Sequence, residues 1–201
     1  MGIIVSNILD LVEESGEESI KEFVSLFSCE REMEGGKVSL NPDIERFLKD
    51  NAIQFARQKI SVSYLVLDED DGEILGYFTI AHKALELPST GLSNGVRKKM
   101  QRYSQLNAVT DSYTISAFLI AQFGKNYAVE NGKRISGKDL MQYVYSELTD
   151  IQHRMGGGII YLDCEADASL ISFYENENFR LFGERISEKD NKRYLQYMRF
   201  F

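Results

Sequence analysis

The sequence predicts a mixed sheet with helices packed on it, of the α/β or α+β class. Three observations carry that prediction. Alternating, β-branched runs flank Asp70-Asp71-Gly72, which marks an antiparallel hairpin. A long apolar run from Ser112 passes through a loop bearing glycine and lysine into an amphipathic helix. A further apolar run, IIYLDCEAD, is followed by another helix and two closing strands. The length of 201 residues, with no linker and no repeat, suits one domain over 1–201.

Taken in order, residues 6–27 read as two short helices broken near Ser15 and Gly16, with Ile20, Phe23, Val24 and Phe27 giving the second an apolar side. That second piece reads equally as an edge strand. The acidic side chains there form a solvated face. Residues 28–41 read as loop, with Gly35-Gly36 breaking any pattern. Asn41-Pro42 then starts one helix through DIERFLKDNAIQFARQ. In the hairpin, Val62, Tyr64 and Val66 alternate against Ser61, Ser63 and Leu65, and the return strand spans Glu73 to Ala84. Pro88, Gly91 and Gly95 mark a loop before a short helix in VRKKMQRYSQL.

The strand from Ser112 places Tyr113, Ile115, Ala117 and Leu119 on one face and Thr114, Ser116, Phe118 and Ile120 on the other. Both faces are largely apolar, the mark of a strand covered on both sides. A helix opens at Ser136, where a hydroxyl can accept from first-turn amides and Asp139 suits the positive helix end. Leu140, Val144, Leu148 and Ile151 form its core stripe, and Gly156-Gly157-Gly158 stops it. ASLISFYENENF is a helix, and FRLFGERI and RYLQYMRFF are strands around an Asp190-Asn191 turn.

Composition excludes several functions. A net charge of −8 argues against nonspecific nucleic-acid binding, which needs basic surface. No run approaches the ~20 apolar residues of a membrane span. The N-terminus turns acidic at once and lacks the basic start of a secretion signal. Cys29 and Cys164 are too few for a disulfide framework or a zinc cluster. No metal site is expected, and the cytoplasm is the natural setting. Arg97, Lys98, Lys99 and Arg102 are the one basic cluster; it reads first as a solvated face, second as a seat for an acidic acceptor or for phosphates.

The helix start at Ser136 directs free backbone N–H groups outward, beside Lys133, Arg134 and Lys138. That is a site for a phosphorylated ligand. The plainer reading of the same stretch is a capped helix with solvated lysines.

The chain resembles the GNAT superfamily of acyl-coenzyme-A-dependent N-acyltransferases, over roughly residues 40–186. One point of likeness is LGYFTIA, Leu75 to Ala81, similar to the family's third strand. The second is NGKRISGKDLM, similar to the pyrophosphate loop Q/R-x-x-G-x-G/A, with Asn131, Arg134 and Ser136 in the matching positions and Gly137 next. The third is ADASLISFYENENF, similar to N-x-x-A-x-x-x-Y-x-x-x-G-F: Asp167, Leu170, Tyr174, Asn178 and Phe179 fill the slots. Arg134 and Asn178 each stand where the pattern has glycine. Phe27-Ser28-Cys29 before NPDIERFL also resembles a subgroup that includes toxins acetylating aminoacyl-tRNA.

The resemblance implies a mostly antiparallel central sheet flanked by helices, with a splayed parallel pair, here 113–124 and 158–164. It implies acetyl-CoA as cosubstrate and an amine acceptor, with no membrane partner; net charge makes nucleic acid unexpected, and a homodimer is left open. Amides of Phe123, Gly124 and Lys125 would hold the thioester and pantetheine. Lys133 and the backbone of Arg134, Ile135, Ser136, Gly137 and Lys138 would hold the pyrophosphate, with Asp167 in the motif's Asn slot. Tyr174 would protonate the leaving thiolate. The base stays open among Asp163, Glu165, Glu73 and water, and His82 could line the acceptor site. Cys164 reads as a small buried hydrophobe.

Overall fold

The computed structural model describes residues 2–33, 36–39, 41–187 and 191–201. The elements in chain order are β1 (Ile3–Asn7), α1 (Ile8–Ser15), α2 (Glu17–Ser25), β2 (Glu30–Met33), β3 (Gly36–Ser39), α3 (Pro42–Asp50), α4 (Ala52–Arg57), β4 (Val62–Asp68) and β5 (Ile74–Pro88). They continue with α5 (Asn94–Met100), β6 (Ser112–Lys125), α6 (Gly137–Met155), β7 (Ile159–Glu165), α7 (Ala168–Asn176), β8 (Arg180–Ile186) and β9 (Arg193–Phe200). Hydrogen bonding orders the main strands β1-β4-β5-β6-β7-β9-β8, and β2 pairs only with β3. Pairing is antiparallel for β1 with β4, β4 with β5, β7 with β9 and β8 with β9, and parallel for β6 with β7. This is the mixed, mostly antiparallel sheet that the sequence predicts.

The chain forms two compact units, 1–81 with 121–147 and 82–120 with 148–201, so that β5, β6 and α6 each contribute to both. In the first, α1 to α4 cover one face of the strands. Ile8, Val24, Phe27, Leu48, Ala56, Leu65, Ile74 and Tyr77 make its core. Burying each large side chain stabilises by about 1.5–3 kcal/mol. Between β4 and β5, Ser63 and Thr79 face each other and share a hydroxyl hydrogen bond of 2.8 Å, which satisfies both in a dry place. In the second unit, Leu85, Leu87, Met100, Tyr113, Ile115, Ala117, Ile159, Tyr161 and Met198 make the core.

The break at Gly16 (φ 85°) divides α1 from α2 as expected. Several elements differ from the sequence reading. Residues 3–7 form an edge strand ending at Asn7, whose side chain caps α1 by accepting from Leu9 N–H at 2.9 Å. The 28–41 stretch is no plain loop: β2 and β3 form an antiparallel ribbon, EREM against GKVS, whose sequence has no apolar alternation. The Gly35 break lies outside the described residues, as does Asp190 of the closing turn. The expected single helix after Pro42 is two, divided at Asn51 (φ −123°). β5 runs four residues past Ala84. Along β6, cover on both sides holds from Ala117 to Phe118 and at Ile120, whereas Thr114 and Ser116 are exposed.

Asn126, directly after β6, ties the first unit together. Its side-chain N–H donates to the Ile74 carbonyl at 2.7 Å, and its side-chain oxygen accepts from Ser28 and Ala128 N–H at 3.0 Å each. Its own N–H donates to Leu75 O at 2.9 Å. Asn126→Ala leaves two donors and one acceptor without these partners, so urea unfolding should show a loss of about 3 kcal/mol.

Candidate active site

The first unit holds the loop between β6 and α6. At the end of β6, a Cβ on Gly124 would stand 2.7 Å from Ile44 Cγ2 and 3.4 Å from Phe27 Cζ, so the helices press on bare backbone. Beyond Asn126 the loop is folded by internal bonds. Val129 and Ile135 are buried, and Asn131–Lys133 form a single 3-10 turn. Ser136 and Asp139 form a reciprocal cap. Asp139 Oδ2 accepts from Ser136 N–H at 2.9 Å and from Ser136 Oγ–H at 2.6 Å, and Ser136 Oγ accepts from Asp139 N–H at 3.1 Å. The expected helix start is therefore present. Within it, Leu140 N–H donates to Ser136 O at 3.1 Å, and the amides of Gly137 and Lys138 come earlier in the first turn, where helix amides can donate to an anion. Bonds from Ser136, with Lys138 and Lys125 nearby, hold the Asp139 carboxyl below its usual range.

The basic residues of this loop divide. Lys125 sits over the Tyr127 ring, 5.4 Å from its centroid. Lys133 turns to the β4–β5 turn and pairs with Asp71 and, at 3.4 Å, with Glu73. Arg134 turns back along the loop, donating to the carbonyls of Tyr127 and Val129. Asn126 and Tyr127 carry much of this architecture, yet no motif or period marks either in the sequence.

The second unit holds the parallel pair. Ala117 pairs with Ile159, Phe118 with Ile160 and Leu119 with Tyr161, and within this unit the ladder ends there. β7 runs on to Glu165, held from its other side: Leu162 pairs with Tyr197, Asp163 with Gln196, Cys164 with Leu195 and Glu165 with Tyr194. The inner edge of β7 beyond Tyr161 thus leaves its partner while its outer edge stays bonded.

Asp167 caps α7, accepting from Ser169 and Leu170 N–H at 2.8 and 3.2 Å. Tyr174 on that helix is buried at 7% exposure among Phe173, Phe179 and Tyr197, with ring centroids 5.1, 5.9 and 6.3 Å away. Asn178 adopts φ 65°, the backbone state for which its slot has glycine. Asp163 pairs with Arg185 and accepts from Gln196 at 3.1 Å; Glu165 pairs with Lys192 at 2.8 Å. His82 Nε2 lies 2.6 Å from Ser116 Oγ, beside the Phe118 ring. Cys164 is buried and its thiol is pushed up to about 11, by burial first and then by Asp163 and Asp167. Among the described residues no cluster of three or more His, Cys, Asp or Glu is placed for a metal, and no helix is long and apolar enough to cross a membrane.

No protein-family model matches the chain, and no curated protein matches it in sequence. Solved structures do. AtaT complexed with acetyl-methionyl-tRNAfMet superposes with a TM-score of 0.62 at 12% identity, covering 100% of this chain and 94% of that one. A tyrosine-to-phenylalanine mutant of KacT gives 0.62 at 14% identity, over 98% and 95% of the two chains. The chain shares the fold of these solved structures. AtaTR bound with acetyl-CoA matches as well, with a TM-score of 0.57 at 12% identity over 98% and 92%. The parallel pairing that the resemblance implies for 113–124 and 158–164 is present between Ala117–Leu119 and Ile159–Tyr161.

Two outcomes are expected. Asp139→Ala should destabilise by about 0.5–1 kcal/mol at neutral pH. Because the folded carboxyl is depressed, the stabilisation is complete above the ordinary carboxyl range, near pH 4, and is lost as pH falls through the folded value. Melting curves of wild type and variant should converge in acid. Burial, then Glu45, pushes Cys29 up to about 12. With Cys164 near 11, about one thiol in a thousand or fewer is ionised at pH 8. Ellman's reagent should therefore find almost no thiol in the native protein and both after unfolding.

Proposed function

We propose that this chain is an acyl-CoA-dependent N-acyltransferase that uses acetyl-CoA. The observation that carries the reading is the parallel ladder of β6 and β7, which stops after Leu119 and Tyr161 while β7 continues. Strands that part without a bulge leave backbone donors and acceptors for a ligand's amides. The fold likeness to AtaTR bound with acetyl-CoA supports the same ligand.

In this reading the coenzyme's diphosphate lies against the amides of Gly137 and Lys138, and amides of Phe123 to Lys125 hold the pantetheine and the thioester. Asp167 orders the start of α7. The acceptor amine attacks the thioester carbonyl carbon and forms the C–N bond. The tetrahedral oxyanion is held by backbone donors. As it collapses, the C–S bond breaks and the thiolate leaves with a proton from Tyr174. The amine loses its own proton to solvent or to His82. His82 is the preferred protein base, because Asp163, Glu165 and Glu73 are each in ion pairs.

One observation favours a particular acceptor, the α-amine of an aminoacyl-tRNA: AtaT was solved with acetyl-methionyl-tRNAfMet. The exposed Lys98, Lys99 and Arg102 supply local positive charge within an acidic chain. Binding of tRNA through them should weaken steeply with added salt.

Acetyl-CoA at about 100 times its Kd should stabilise the chain by about 2.7 kcal/mol. No thermal shift would end the reading. Given a shift, Tyr174→Phe should slow thiol release by about 10²-fold or more; unchanged turnover would remove Tyr174 from the mechanism.

A further inference from the structure

Arg134 stands where the pyrophosphate-loop pattern has glycine, but its backbone gives no reason for glycine: φ is −64° and ψ is 127°. Its side chain does not extend toward the helix start. Nε donates to the Val129 carbonyl at 3.1 Å and Nη2 to the Tyr127 carbonyl at 2.7 Å. The guanidinium also lies over the Tyr127 ring, 5.6 Å from its centroid, the same ring that Lys125 approaches. One planar cation thus closes the loop upon itself, gathering two carbonyls and an aromatic face. Only a fork with several fixed N–H groups reaches two carbonyls in this way.

The rest of the loop agrees with this geometry. Tyr127 N–H donates to Ser28 O at 2.8 Å, Ala128 N–H to the Asn126 side chain at 3.0 Å, and Lys133 N–H to Glu130 O at 3.0 Å. Lys133 is drawn off to Asp71 and Glu73. The carbonyls of Tyr127 and Val129 are both satisfied by Arg134.

We infer that Arg134 is a positioning residue, which staples the loop Tyr127–Ser136 into its ligand-ready shape and does not itself bind phosphate. The effect on ligand affinity rests on the acyl-CoA reading above; the staple does not. A preformed loop loses less entropy on binding, so removing the staple should weaken a diphosphate ligand.

The test uses the full chain as wild type, Arg134→Ala and Arg134→Lys. Hydrogen exchange without ligand is followed at the amides of Tyr127, Ala128 and Lys133, and CoA affinity is measured by titration. Arg134→Ala should raise exchange at these amides at least several-fold and raise the Kd for CoA about tenfold, with the melting temperature of the chain little changed. Arg134→Lys, which keeps the charge but reaches one carbonyl, should recover only part of either effect. A direct phosphate ligand would behave otherwise: Arg134→Ala would leave exchange in the free protein unchanged, and Arg134→Lys would keep most of the affinity. That result overturns the proposal, as does an unchanged Kd with Arg134→Ala. If wild type fails to bind CoA, the acyltransferase reading and the affinity effect fall together, while the exchange data still decide the staple.

Discussion

The buried amide of Asn126 is the constraint on which the first unit's arrangement depends. A side-chain amide brings both donors and an acceptor, and this one spends them on three separate segments: Ile74 in β5, Ser28 after α2, and Ala128 in the loop. Ser28 and Cys29 are in turn held by Glu45 of α3, whose carboxylate accepts from Cys29 N–H at 2.8 Å and pairs with Lys49. Tyr77, in the same core, donates to the Ile44 carbonyl at 2.5 Å. The helices, the end of β6 and the loop to α6 are thereby fixed to one another by directed bonds as well as by apolar packing. Such bonds specify geometry, because misplacing any partner strands a buried polar group.

The second unit solves a different problem. A parallel pair that separates would ordinarily lose the edge of β7 to solvent. Here β9 bonds the whole of β7 from the far side, so the inner edge can be left without a strand and the fold still holds. In the same unit Tyr174 packs against Phe179 and Tyr197. Burial pushes the Tyr197 hydroxyl up, with Glu175 and Cys164 adding to it.

Much of the fold was legible because its signals were periodic. The hairpin around Asp70-Asp71-Gly72, the stripe of α6, and the glycines after Met155 each state one structure without competition. The helix start was legible too, since Ser136 and Asp139 are spaced for a reciprocal cap. What was missed lacked a period. β1 has three apolar residues before its cap at Asn7, and the sequences of β2 (EREM) and β3 (GKVS) are short and carry no apolar alternation. Asn51 divides a helix whose apolar spacing runs straight through it. At the site, side-chain direction was the invisible part. Nothing in the letters NGKR says that Lys133 turns to Asp71 or that Arg134 turns back to Tyr127. Asn126, central as it is, reads in sequence as one polar residue after a strand.

The proposed mechanism requires a CoA diphosphate on the first turn of α6. Amide NMR spectra of the labelled chain, recorded with and without CoA, test it most directly. The largest shifts should fall at Gly137 and Lys138, with a second group from Phe123 to Lys125. Saturating CoA that leaves these amides unmoved would contradict it.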